Sequence, residues 1–213
     1  MLLFIRWFVY SCGIILFSLG ICLTINVKHL GVQSWDVLHI GLYETFGLTI
    51  GSWSIIIGMC LVGIAFAINR SLVQLGTFLN IIFVGMFVDL FLWLDFLPKA
   101  THTWLDMITI TVGILIMGVA GGMYNSGKVG AGPRDGFMLG ISMKWNISIG
   151  KVRMITESSI VVIGFFFGGP VFIFTILFTF VQSPIFQYSF MQFNKLIYAL
   201  EVKYNKRRLP NLK

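Results

Sequence analysis

The chain has 213 residues, 57% hydrophobic and 11% charged, with a mean hydropathy of +0.91 and a formal net charge of +7. A soluble domain of this length carries about 25% charged residues, so the composition excludes an ordinary soluble fold and specifies a membrane protein. The positive charge does not imply a nucleic-acid partner, because the cations follow a membrane-orientation pattern along the chain.

A helix needs roughly 20 apolar residues to cross a ~30 Å hydrocarbon core. The first candidate span, 7–27, lies in "MLLFIRWFVYSCGIILFSLGICLTINV". Its apolar run is longer than a signal-peptide core and no small-residue cleavage site follows, so it reads as a retained span. Next comes "GVQSWDVLHIG", whose segment 31–50 carries Asp36, His39 and Glu44. It is too short and polar to cross, yet "WDVLHIGLY" is helical in pattern, and Ser34 is positioned to cap it. Spans two and three follow at 53–69 and 72–94, and span four at 104–123. The segment 130–149 then repeats the earlier interruption: "GAGPRDGFML" carries Arg134 and Asp135, Lys144 follows, and Pro133 suits a first helical turn. Both interruptions are expected to form short half-helices, either re-entrant or interfacial.

No charge falls between Glu157 and Lys195, a stretch too long for one crossing. "GGP" at 168–170 supplies a turn that divides it into spans five, 154–167, and six, 170–190. The fifth is short and is extended towards Lys151 by side chains that snorkel. Beyond it, Phe193, Leu196, Ile197, Leu200 and Tyr204 recur at helical spacing among Lys195, Glu201, Lys203 and Lys206 to Arg208. This 191–213 tail reads as an amphipathic helix on anionic lipid headgroups at the cytoplasmic surface.

With the N-terminus inside and six alternating spans, thirteen of the fifteen Lys and Arg residues fall on the cytoplasmic side, leaving only Lys28 and Lys99 outside. That bias selects cytoplasmic N- and C-termini.

The two interruptions align at an offset of 99 residues: Gly31 with Gly130, Asp36 with Asp135, Gly41 with Gly140, Ile50 with Ile149, and Gly51 with Gly150. Three spans per unit is odd, so the second unit enters from the opposite side. The expected architecture is therefore a single all-α domain of six transmembrane helices plus two half-helices, in a 3+3 inverted-topology repeat. Repeat 1 covers 1–98 with its motif at 31–51, and repeat 2 covers 99–190 with its motif at 130–150.

"SWDVLHIGL", "GLTIG", "GTFLN", "FVD" and above all "GAGPRDG" (with Gly132 inside it) resemble the YczE/YyaS/YitT-type family of bacterial multi-pass membrane proteins, nearest the YczE branch. Ser34 departs from the proline expected there, and "VFIFT" from a glycine-rich turn. The resemblance implies an integral plasma-membrane protein and no particular activity.

The polar residues at membrane depth are the candidate site. Asp36 and Asp135 each fall in a half-helix first turn, where they either cap the helix or bind a cation or proton. Arg134 is available to Asp135, to Glu157, or to an anionic headgroup or substrate. Glu157 follows Arg153 by four residues, at ion-pair spacing. Asp89, among apolar neighbours, must face the bundle and find a partner, and Asn80 is positioned to hydrogen-bond across helices. His39 shares a face with Asp36, whereas His29 and His102 have no evident partner. Cys12, Cys22 and Cys60 lie in apolar runs at no metal-site spacing, and no catalytic, metal or cofactor signature is present.

These readings predict a small permease for a solute, ion or lipid-linked molecule, not an enzyme. The competing reading is a scaffold or regulator of a membrane enzyme. Its candidate partners besides lipid and an unidentified substrate are a second copy or another protein.

Overall fold

The computed structural model describes residues 2–208. Within them the chain forms α1 (Leu2–Asn26), α2 (Ser34–Phe46), α3 (Ile50–Ile68), α4 (Leu75–Leu94), α5 (Trp104–Ser126), α6 (Pro133–Trp145), α7 (Ile149–Phe166) and α8 (Ile173–Arg208). Short 3₁₀ turns at Lys28–Leu30 and Arg70–Leu72 complete the described secondary structure.

Five helices are long and apolar enough to cross a membrane: α1, α3, α4, α5 and α8. Apolar side chains cover the outer surface of these helices; Met86 is 55% and Phe180 73% exposed. So much exposed hydrocarbon on consecutive spans is a surface built for lipid. The expected fifth span coincides with α7, but that helix carries Lys151, Arg153 and Glu157 within its 18 residues and is more polar than α1, α3, α4 and α5. The expected sixth span and tail are one continuous helix of 36 residues with Pro184 inside it. Pro184 has no N–H to donate, so the helix tolerates it only with a local break in its hydrogen-bond ladder. Arg6 on α1 ties this helix down through an ion pair with Glu201. Ile197 is buried, so the tail is docked on the bundle at that point. The side chains of Tyr204 and Lys206 to Arg208, and all of Lys213, lie outside the described residues.

Helices α1 and α5 lie side by side at the centre, with α4 on the outer flank of α1 and α8 on that of α5. Gly20 and Gly113 bring the central pair together, since a Cβ on Gly20 would stand 3.0 Å from the Gly113 carbonyl. Lipid tails supply no hydrophobic drive between spans, so such close backbone approach is what holds them. Tyr10, Ile14, Ile21, Val88, Ile110 and Met117 fill the core they share with α4. A second cluster, Trp35, Leu61, Met138 and Val152, draws one residue from each of α2, α3, α6 and α7.

Helix α2 folds into this second layer instead of lying on the surface. Ser34 through Leu42 are all buried. Its C-terminal end returns to the level where α1 finishes, because Lys28 and Glu44 pair at 2.9 Å. Thr45 also donates to the Phe167 carbonyl at the end of α7. Thirteen residues reach about 20 Å, so α2 is a half-helix whose N-terminus lies deep in the bundle. Helix α6 has the same length, with Pro133 at its first position as the sequence predicts. Ser34 does not cap α2: the N-cap is Gln33, without a side-chain cap bond.

Candidate functional site

The first turns of α2 and α6 meet. Nη1 of Arg134, at the second position of α6, donates to Gln33 Oε1 at 3.1 Å, and Nη2 stands 3.8 Å from Asp36 Oδ1. The guanidinium also lies over the Trp35 ring, 5.1 Å from its centroid, a cation–π contact that favours a planar cation. Gln33 continues the chain of contacts by donating from Nε2 to Gln182 Oε1 on α8 at 3.0 Å. Arg134 therefore pairs with Asp36, a partner that was not among the carboxylates, headgroup or substrate the sequence left open to it.

Asp36 is 1% exposed, and His39, one turn along α2, approaches its Oδ1 at 3.5 Å. The other carboxylate oxygen, Oδ2, has no hydrogen-bond partner. A buried acceptor left unpaired costs about 1–3 kcal/mol, so it is a position that awaits a donor. Asp135, on α6, is held at the opposite side of Arg134 by Arg153 on α7, at 3.2 Å, and by Asn125 Nδ2 at 3.5 Å. Arg153 Nε extends this to Glu157 Oε1 at 3.6 Å, the pair expected from their spacing.

A cavity of about 90 Å³ lies beside this network, all eight α-helices contribute to it, and Gln33, His39, Asn80, Arg134, Asp135, Arg153, Glu157 and Gln182 are in its wall. A single water needs about 10–15 Å³ by this measure, so the cavity has room for several waters or one small solute. Asn80 is buried and its Nδ2 lacks a partner, contrary to the cross-helix bond its sequence position predicts.

Asp89 is elsewhere. Its Oδ1 accepts the Gly51 N–H at 2.8 Å, and its other oxygen accepts from the Thr49 hydroxyl. The carboxylate thus serves the first turn of α3, where N–H groups lack helical partners and the dipole favours an anion. Gly51 is needed here because a Cβ would fall 2.1 Å from the Gly85 carbonyl and 2.5 Å from the Asp89 carboxyl carbon.

The other motif glycines line approaches between elements. Gly31 (φ +115°) abuts the N-terminus of α8 at Thr175, and Gly130 abuts that of α4 at Thr77. Gly41 meets α7, Gly132 faces the Tyr124 hydroxyl and Gly140 meets Leu72, whereas Gly150 has open space. Among the cysteines, Cys22 is buried and donates to the Val88 carbonyl, while Cys60 is exposed on α3. His29 and His102 do have partners: the rings lie 4.5 Å apart, and His29 Nε2 is 3.2 Å from Asp106 Oδ2.

Sequence reasoning did not find Gln33, Gln182 or Asn125 as members of this network, and it placed Arg153 only with Glu157, not with Asp135. The available signal was Gln182 and Ser183 beside Pro184, a polar pair next to a helix breaker within an otherwise charge-free run.

Five apolar helices of spanning length, with two half-helices folded between them, define a multi-pass membrane protein. The chain belongs to the family described as "Family of unknown function (DUF6198)", whose pattern matches residues 4–191. It is 36% identical over 196 residues to the Bacillus subtilis (strain 168) "Uncharacterized membrane protein YczE", covering 92% of this chain and 90% of that one. A Haemophilus influenzae "Uncharacterized protein" is 34% identical over 172 residues, covering 79% and 78% of the two chains. The B. subtilis "Uncharacterized protein YyaS" is 28% identical over 173 residues, covering 81% and 86%. The resemblance to YczE and YyaS read from the sequence therefore stands. No solved structure matches the chain.

Proposed function

We propose that the protein is a small plasma-membrane permease for a solute, ion or lipid-linked molecule, built as a 3+3 inverted repeat with both termini cytoplasmic. One observation carries this reading: two half-helices bring their N-terminal turns to one cavity between all the helices, with Arg134 and Asp135 in its wall and Asp36 paired to Arg134. Discontinuous helices that point their ends at a central site are how repeat-built transporters hold charged cargo.

The repeat draws support from the helix boundaries. An offset of 99 carries α2, Ser34–Phe46, onto α6, Pro133–Trp145, residue for residue at both ends, and carries α3 onto α7 to within one residue. The packing exchanges as well. Gly31 of the first half rests on Thr175 of the second, and Gly130 of the second rests on Thr77 of the first. One departure breaks the exchange: α3 lies along α4 through Gly51 and Gly85, while no comparable packing joins α7 to α8 among the described residues. In this reading α7 is the fifth of six crossings, with Arg153 and Glu157 kept from lipid by pairing in the cavity wall. Transport is reached by analogy from the site, since a fold alone does not define an activity.

Proteoliposomes carrying the protein are expected to take up at least one member of a panel of labelled solutes that empty liposomes exclude. Asp36→Asn and Asp135→Asn should each slow that uptake about tenfold, the equivalent of ~1.4 kcal/mol. Flux no greater than that of empty liposomes across the panel would reject the permease.

A scaffold is the second reading, favoured by the extent to which the cavity charges already satisfy one another: Arg134 with Asp36, and Arg153 with both Asp135 and Glu157. It predicts a stoichiometric crosslinked protein partner and no reaction of Gln182→Cys or Ser183→Cys with a water-soluble thiol reagent.

A further inference from the structure

We propose that His29, His102 and Asp106 form a binding site for a divalent transition-metal ion of the zinc type, at the end of the bundle where α1 finishes and α5 starts. Two of the chain's three histidines, distant in sequence, are brought onto one carboxylate. One ligand atom from each of the three residues lies within 4.8 Å of the others.

Asp106 is buried in the first turn of α5, and its position is fixed from behind. Oδ1 accepts the Thr101 N–H and hydroxyl, both at 2.9 Å, and Oδ2 accepts the His102 N–H at 2.8 Å. Backbone bonds of this kind orient a ligating carboxylate and are the usual support around a metal ion. In front of it, His29 Nε2 is 3.2 Å from Oδ2. The metal takes the place of the proton between these two atoms, and His29 coordinates through Nε2 as a neutral imidazole with its one ring proton on Nδ1.

The His29–Asp106 bond alone does not explain His102. This residue holds a left-handed backbone conformation, φ +53°, that side chains other than glycine rarely adopt. The conformation sets its ring 4.5 Å from that of His29, at 40° between planes. Two imidazoles and one carboxylate, with a fourth position left to water, are a donor set that zinc accepts at 2.0–2.2 Å. Ligands at that radius are about 3.3 Å apart in a tetrahedron. His102 is exposed, so its ring has room to turn toward the other two donors. A bound ion joins the linker ahead of α2 to the start of α5, two residues before Gly31 meets α8.

The test is Zn²⁺ binding to the full chain, purified in detergent with any affinity tag removed and titrated against a competing chelator. The wild type is expected to bind one ion per chain. His102→Ala and His29→Ala should each weaken binding by roughly tenfold to a hundredfold, and the double variant should abolish it. Asp95→Asn, an exposed acid in the same loop, should bind as the wild type does. His102 is exposed, so its loss leaves the fold intact and the result readable. Absence of stoichiometric binding in the wild type, unchanged affinity in the double variant, or an equal loss in Asp95→Asn would each overturn the site.

Discussion

Arg134→Ala is expected to destabilise the protein by about 3–5 kcal/mol, the range for removing one partner of a buried ion pair. The size follows from what stays behind. Asp36 is 1% exposed and already has one oxygen without a partner, so loss of the guanidinium leaves His39 as its remaining ion-pair partner among the described residues. Gln33 loses the donor to its Oε1 at the same time, and Trp35 loses the cation over its ring. Unfolding in detergent measures the loss, and a double-mutant cycle with Asp36→Asn isolates the pair. If the network is as described, Asp36→Asn recovers much of the stability lost in Arg134→Ala, because it removes the stranded charge. Additive losses would mean that the two groups do not interact.

The second large effect is expected where α7 turns against α2. Helix α7 ends with Gly168 at φ +85° and the Gly169 N–H returning to the Gly164 carbonyl at 2.8 Å, an arrangement that closes a helix and frees the chain to reverse. In the same place α2 passes over the turn. A Cβ on Gly169 would lie 2.1 Å from the Val37 carbonyl, and one on Gly164 would lie 2.7 Å from the Leu38 nitrogen. The obstacles are backbone atoms, which cannot rotate away. Gly169→Ala and Gly164→Ala should therefore each cost about 3 kcal/mol, the upper part of the overpacking range, and should loosen α2 where Asp36 is anchored. Gly63→Ala is the control: nothing lies within 4 Å of its Cβ position, and alanine favours the helix by about 0.5–1 kcal/mol. Thermal unfolding midpoints that fall equally for Gly63 and Gly169 would remove the close-approach argument.

The half-helices were legible in the sequence because glycine, proline and charge interrupt a hydrocarbon-rich chain at two matched positions. Boundaries at Pro133 and at "GGP" follow from backbone chemistry that a proline or glycine imposes wherever it stands. Partnership was less legible. Arg134 sits beside Asp135 in the chain, yet adjacent residues on a helix point apart, and its contacts come from Gln33 and Asp36 on the other half-helix. Asp89 looked like a stranded charge in "FVDLF" because its donors, the Gly51 N–H and Thr49 hydroxyl, are supplied by another helix. The helical spacing of Phe193 to Leu200 was legible, and the structure runs that segment on from the last span without a break as α8. His29 and His102 each stand alone in sequence and meet only when α1 and α5 are placed side by side.

The central claim is that α2 and α6 enter the bundle from opposite faces and meet at their N-termini. Sided labelling tests it most directly. In a chain with Cys12, Cys22 and Cys60 replaced by serine, Glu44→Cys marks the C-terminal end of α2 and Lys144→Cys that of α6. A membrane-impermeant thiol reagent is expected to label the Glu44 position in intact cells and the Lys144 position only in inverted vesicles. Labelling of both from the same side would contradict the account.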